Sequence, residues 1–180
     1  MKSLREKYLK DVVPTMMGEF HYSSVMAVPK VERVSVNVGV GRQRDEKILG
    51  AIRQSLALIT GQKLISRPAK IAIAAFKTRK GQIVGYTATL RGKRMYDFLD
   101  RLINIALPRQ RDFQGLSEES FDERGNLTIG IKEHMVFPEV GGEDVRTIFG
   151  FEVTIVVRAR SRKESIALFR HLGFPIKSKS

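Results

Sequence analysis

Val31-Glu32-Arg33-Val34-Ser35-Val36-Asn37-Val38-Gly39-Val40 is the stretch on which the fold turns. Val34, Val36, Val38 and Val40 alternate with Arg33, Ser35, Asn37 and Gly39, the period of a strand whose successive side chains leave opposite faces. One face is apolar and the other wet. That contrast favours an antiparallel sheet covered on one side, because a sheet buried on both sides would be apolar throughout.

The alternation returns at Val84–Arg91, with Val84, Tyr86, Ala88 and Leu90 on one side and Gly85, Thr87, Thr89 and Arg91 on the other. It returns again at Phe151–Arg160, where Phe151, Val153, Ile155 and Val157 face inward. Lys63–Ser66, ended by Pro68, and Leu127–Ile131 read as shorter strands. Between them apolar residues recur at helical spacing. Leu4–Phe20 is expected to be a helix kinked or split by Pro14. Glu46–Thr60 carries Ile48, Ile52, Leu56 and Ile59 on one face and stops at Gly61. Lys93–Ala106 carries Met95, Phe98, Leu99, Leu102 and Ile103 and is expected to stop at Pro108. Arg162–Leu172 begins with a capping box, Ser161 and Glu164, and ends at Gly173 and Pro175. Arg109–Asn126 reads as loop. Lys70–Gly85 fits neither period and reads as a projecting loop or irregular hairpin.

This order of elements predicts an α+β fold, with an antiparallel or mixed sheet and helices packed on one face. The 180 residues fit one domain, 1–180, with an extended arm at about 70–85. The open face would present Arg33, Ser35, Asn37, Thr87, Thr89 and Arg91.

Charge is distributed unevenly along this pattern. Lys47 to Tyr96 holds eleven Lys or Arg and no Asp or Glu, whereas the segments before and after it carry +2 and 0 of the net +13. Solubility alone would be served by mixed signs, so the block reads as a surface for a polyanion, with RNA or DNA first. An apolar fraction of 42% is enough for a core. Without cysteine there is no disulfide, thiolate metal site or Cys nucleophile, which suits a reducing cytoplasm. Met1–Asp11 has no apolar run of signal-peptide length, and nothing approaches the roughly 18 apolar residues of a membrane span.

Catalytic signals are weak. Gly39-Val40-Gly41-Arg42 leaves a strand before a helix, but the third position of a dinucleotide fingerprint is Arg44, and there is no Gly-Lys-Ser/Thr phosphate loop. The turn still offers backbone N–H groups beside Arg42 and Arg44 that could hold an RNA phosphate. His21, His134 and His171 share no metal-ligand spacing. Glu118–Glu119, Asp122–Glu123 and Glu143–Asp144 sit in polar loops, and no hydroxyl has a nucleophile signature around it. No enzyme, cofactor or metal is expected. On the residues alone a nucleotide-dependent enzyme using the Gly39–Arg44 turn and a sequence-independent DNA binder remain as alternatives.

Two features fit RNA better. Phe76, Lys77, Thr78, Arg79, Lys80 and Gly81 place an aromatic beside three cations at the tip of the arm, where cations would neutralise phosphates and Phe76 could pack on a base or sugar. Asn37, Thr87 and Thr89 offer short uncharged donors on a flat sheet, suited to 2′-OH and shape readout in an RNA minor groove. The aromatic motif of an RRM is absent, which disfavours base stacking on the sheet.

Eight blocks in order resemble the bacterial large-subunit ribosomal protein five family, which binds 5S rRNA. They are Val36-Asn37-Val38-Gly39-Val40-Gly41, Leu58-Ile59-Thr60-Gly61-Gln62-Lys63, Phe76-Lys77-Thr78-Arg79-Lys80-Gly81, Thr89-Leu90-Arg91-Gly92, Leu107-Pro108-Arg109 with Arg111-Asp112-Phe113, Ser120-Phe121-Asp122, Phe137-Pro138-Glu139, and Gly173-Phe174-Pro175. The resemblance runs from about Tyr8 to Lys177. It implies a five-stranded sheet with helices on one side, and a protein that joins 5S rRNA to 23S rRNA in the central protuberance. It implies 5S rRNA contacts by Asn37, Gln62, Ser66 and Thr89; the basic residues Arg33, Lys63, Arg67 and Arg91 are expected to bind rRNA beside them. It implies that the loop Ala74–Gly85 approaches peptidyl-site tRNA. It also implies that the opposite side bridges to a protein of the small-subunit head, beside neighbouring large-subunit proteins. Gln110, Gln114, Glu123 and Arg42 depart from the usual pattern.

Overall fold

In the computed structural model, which describes residues 3–43, 45–76, 78–111, 113–140 and 147–177, the valine stretch is the central strand β1, Lys30–Gly39. β2 is Ile65–Pro68, β3 Ile83–Leu90, β4 Leu127–Ile131 and β5 Phe151–Arg158. The strand order is β2-β3-β1-β5-β4 and every ladder is antiparallel. The valines of β1 are buried, together with Tyr86, Ala88 and Leu90 of β3, Val153 and Ile155 of β5 and the apolar residues of β4. A bulge between Val31 and Arg33 changes the parity, so that Val31 also faces the core.

Four helices cover that apolar face. α1 runs through Leu4–Lys7, a wider π-helical Tyr8–Val12 and Val13–Phe20. α2 is Glu46–Thr60, ended by Gly61 at φ 66°. α3 runs through Gly92–Arg101, π-helical Leu102–Ala106 and Leu107–Arg109. α4 is Arg162–Leu172, capped by Ser161 Oγ accepting from the Glu164 N–H. Ile52, Leu56 and Ile59 of α2, Phe98, Leu99 and Leu102 of α3 and Leu168, Phe169 and Leu172 of α4 join the same core. Lys7 Nζ donates to the Leu172 carbonyl at 2.8 Å, which ties α1 to the C-terminus of α4.

Two expectations change. Pro14 does not split α1, and Pro108 does not stop α3. In both, the residue before the proline donates its N–H five residues back, Val13 to Tyr8 and Leu107 to Leu102. The π-helical turn takes up the missing donor and the bulk of the ring, so each helix continues. The arm is an irregular hairpin: Ala69 and Gly81 bond across its base, and Ile73 and Thr78 exchange backbone bonds. β2 starts two residues later than expected and includes Pro68, which an edge strand tolerates.

Gly85 lies in β3 where a Cβ would stand 2.8 Å from the Val38 carbonyl oxygen. Gly85→Ala therefore forces β1 and β3 apart and should lower stability by about 2 kcal/mol, measured by denaturant unfolding; an unchanged midpoint would contradict the close approach. His134 is buried and stacked on Phe149, with ring centroids 4.1 Å apart. Desolvation holds its pKa below 6.5, against a weaker opposing effect of a hydrogen bond with the Phe149 backbone. The unfolded chain then binds the proton first, so stability should be level above about pH 7 and fall as pH drops through the range below 6.5. His134→Phe should remove that part of the slope in unfolding titrations.

Candidate nucleic-acid interface

The antiparallel registers set which side chains stand abreast on the face away from the helices. Thr89 pairs with Ser35, Ser35 with Thr154, and Thr154 with Thr128. Four hydroxyls thus form one row across β3, β1, β5 and β4, spanning about 14 Å at the usual strand spacing. Thr128 Oγ1 and Thr154 Oγ1 lie 3.5 Å apart. One step along the strands the next row holds Ile65, Thr87, Asn37, Glu152 and Gly130. Thr89, Asn37 and Glu152 are exposed, and Ser35, Thr128 and Thr154 are half-buried.

Cations frame these rows. At one end Arg33 pairs with Val156 and Lys30 with Arg158, and Arg91 follows Leu90, the partner of Val34. Beyond the Asn37 row, Arg67 pairs with Gly85. None of these five cations has an ion pair among the described residues. The face is therefore a band of short neutral groups, interrupted by the Glu152 carboxylate, between positive margins, with cations that form no ion pair among the described residues available for phosphates.

The expected residues do not all meet. Asn37 and Thr89 share the open face, and Gln62 reaches it by donating its side-chain amide to the Thr89 carbonyl at 3.1 Å. Ser66 pairs with Tyr86, a core residue, so its side chain leaves the opposite side of the sheet and is exposed only because β2 is an edge. Lys63 is exposed in the turn before β2. Thr87 was expected to present its hydroxyl on the open face, yet it is buried. It pairs with Asn37 on one side and Ile65 on the other, and its hydroxyl donates to the Val36 carbonyl at 3.1 Å. On the arm, Thr78 bonds to Ile73, while Arg79, Lys80 and Gly81 are exposed. Lys77 and the side chain of Phe76 lie outside the described residues, as do Arg44, Asp112 and the Glu143–Asp144 pair.

The Gly39–Gln43 turn is a poor phosphate cradle. The Val40 N–H is taken by the Val84 carbonyl at 2.8 Å and the Gln43 N–H by the Val40 carbonyl at 2.9 Å. With the base of the arm and Thr147–Phe149 the turn instead lines an apolar groove of about 1090 Å³, beside which Ile71, Ile73 and Ile148 are exposed. The histidines are spent structurally: His134 stacks on Phe149, His171 bonds Glu19 at 2.9 Å, and His21 ends α1 at φ 51°. Glu118 accepts from Arg170, Asp122 from Asn126, and Glu139 pairs with Arg101. Among the described residues no three His, Asp or Glu side chains group as metal ligands, and no helix is long and apolar enough to cross a membrane.

Sequence reasoning missed Thr128, Thr154, Glu152 and Arg158. The outward positions of Phe151–Arg160 were available as a signal, but only the strand order places them beside Ser35 and Asn37.

Family comparison covers both halves of the chain. Residues 24–79 match the model of ribosomal protein L5, and residues 83–176 match the model of the C-terminus of the same ribosomal family. The chain is similar to the large ribosomal subunit protein uL5 of Syntrophomonas wolfei, 48% identical over 178 residues, 98% of this chain and 100% of the relative. The protein of the same description from Thermoanaerobacter sp. is 49% identical over 97% of this chain and 98% of its own length. That from Dictyoglomus turgidum is 49% identical over 98% and 99%.

Proposed function

The chain belongs to the ribosomal protein L5 family, and we propose that it holds 5S rRNA on the open face of its sheet and attaches it to 23S rRNA in the central protuberance. It is a structural protein of the large ribosomal subunit, associated with rRNA, and not an enzyme. The observation that carries the reading is the hydroxyl row Thr89–Ser35–Thr154–Thr128 with Asn37 beside it, between free cations. An A-form helix shows a shallow minor groove of 2′-hydroxyls and base edges. Short donors on a flat sheet reach that surface, and long side chains are not needed. Arg33, Arg91 and Arg67, with Lys63 nearby, answer the phosphates on either side. The four contact residues carried over by resemblance, Asn37, Gln62, Ser66 and Thr89, work here as three on the face and one at its edge.

The arm has a separate task. Phe76 to Gly81 approaches peptidyl-site tRNA, and its cations serve as phosphate contacts. The side of the molecule away from 5S rRNA meets a small-subunit head protein and neighbouring large-subunit proteins. These assignments rest on the family resemblance together with the exposure of Arg79, Lys80 and Gly81.

Affinity for 5S rRNA should fall steeply with salt. Arg33→Gln, Arg91→Gln and Arg158→Gln should each reduce the slope of log affinity against log salt by about 1, with little change in preference among RNAs. Slopes equal to the wild type would remove the cations from the interface. In filter binding, Asn37→Ala and Thr89→Ala should each weaken 5S rRNA binding about tenfold. Arg79→Ala should leave it nearly unchanged while impairing tRNA retention on assembled ribosomes. The reverse order would overturn the division between sheet face and arm.

A further inference from the structure

Glu152 is out of place on a surface that attracts a polyanion. It is exposed, it stands directly opposite Asn37 in the β1–β5 ladder and opposite Gly130 in the β4–β5 ladder, and it has no ion pair among the described residues. It is the one acid in the hydroxyl row and the Asn37 row. A strand residue at this position needs no charge for folding, since its side chain packs against nothing in the core and both neighbours are small or polar. Near phosphates its charge is repulsive, unless a donor on the RNA answers it.

We propose that Glu152 is a specificity-determining residue that accepts a hydrogen bond from the 2-amino group of a guanine in the minor groove of the bound RNA. An ionised carboxylate can only accept, so its partner must be a donor. In the minor groove the base edges offer one donor, the guanine N2 amine, and the ribose offers its 2′-OH. The major groove of A-form RNA is too deep and narrow for a side chain on a flat sheet. Neutral hydroxyls already fill the adjacent row and suit the ribose groups, which can both donate and accept. A charged acceptor gains most against an amine, which can only donate. Asn37, on the neighbouring strand, supplies an amide beside it that can contact the same base edge. Glu152 thus raises the cost of an unmatched RNA and lowers that of the matched one, which is how a charge creates preference.

This assignment rests on the reading that RNA lies on the open face, and the test separates the two. 5S rRNA doped with inosine, which lacks the 2-amino group, is partitioned by binding to wild type, Glu152→Ala and Asn37→Ala. The wild type should show interference at one or two guanosines, and Glu152→Ala should lose interference there. Glu152→Ala should also bind 5S rRNA about tenfold more weakly and an unrelated duplex RNA more tightly, because the repulsion is gone. Equal interference in wild type and Glu152→Ala overturns the assignment, as does equal tightening on both RNAs. Interference that appears only with 2′-deoxy doping, and is lost in Glu152→Ala, makes the donor a ribose hydroxyl and overturns the guanine assignment. If Asn37→Ala leaves 5S rRNA binding intact, the open-face reading itself fails; if Asn37→Ala weakens binding and Glu152→Ala does not, only the role of Glu152 fails.

Discussion

The two ladders of β1 constrain everything else in the molecule. β1 pairs with β3 on one side and β5 on the other, and its period-2 pattern must satisfy the core and the open face at once. A slip of one residue would turn Val34, Val36 and Val38 to solvent and bury Ser35 and Asn37. Burial of the valines therefore fixes the register, and the register fixes which hydroxyls stand in line. Gly85 tightens this further, because β3 approaches Val38 so closely at that point that a methyl group would not fit.

The helical layer holds the other face by a repeated device. α1 and α3 each contain a proline, and each places a π-helical turn so that the residue before it bonds five positions back. The widened turns keep Val12 and Met16 of α1, and Leu102 and Ala106 of α3, directed into the core. A broken α1 would also lose the Lys7 contact to the end of α4. Continuous helices seal one side of the sheet, and the other side is left as a broad flat surface on which a nucleic acid can lie.

The proposed function divides attraction and choice between different residues. On the proposed function, the eleven cations of Lys47–Tyr96 would give the long-range pull, which is insensitive to sequence and weakened by salt. Only part of that block reaches the open face, through Arg67 and Arg91; much of the rest belongs to the arm and the helices. The centre of the face is neutral apart from Glu152. In the proposed complex, selectivity would come from groups that add little affinity when wrongly matched, because a large positive field alone would hold any RNA.

From the sequence alone, the five strands, the four helices, the Gly61 and Gly173 stops, the Ser161 cap and most inward residues were legible, because each is written locally as a period or a stop signal; the Pro108 stop was not, because a π-helical turn carries the helix past it. The alternation around Asn37 and around Thr89 identified part of the open face for the same reason. Family blocks then indicated the ribosome, and both halves of the chain match that family. Three things had to wait for the tertiary structure. Strand order puts β5 and β4 beside β1 and so adds Thr154, Thr128 and Glu152 to the face; order is a long-range property that no local period encodes. Burial of Thr87 depends on Ile65 of a strand some twenty residues away in sequence. The side of Ser66 depends on its pairing with Tyr86, since an edge strand exposed on both faces carries no hydrophobic pattern from which its orientation can be read.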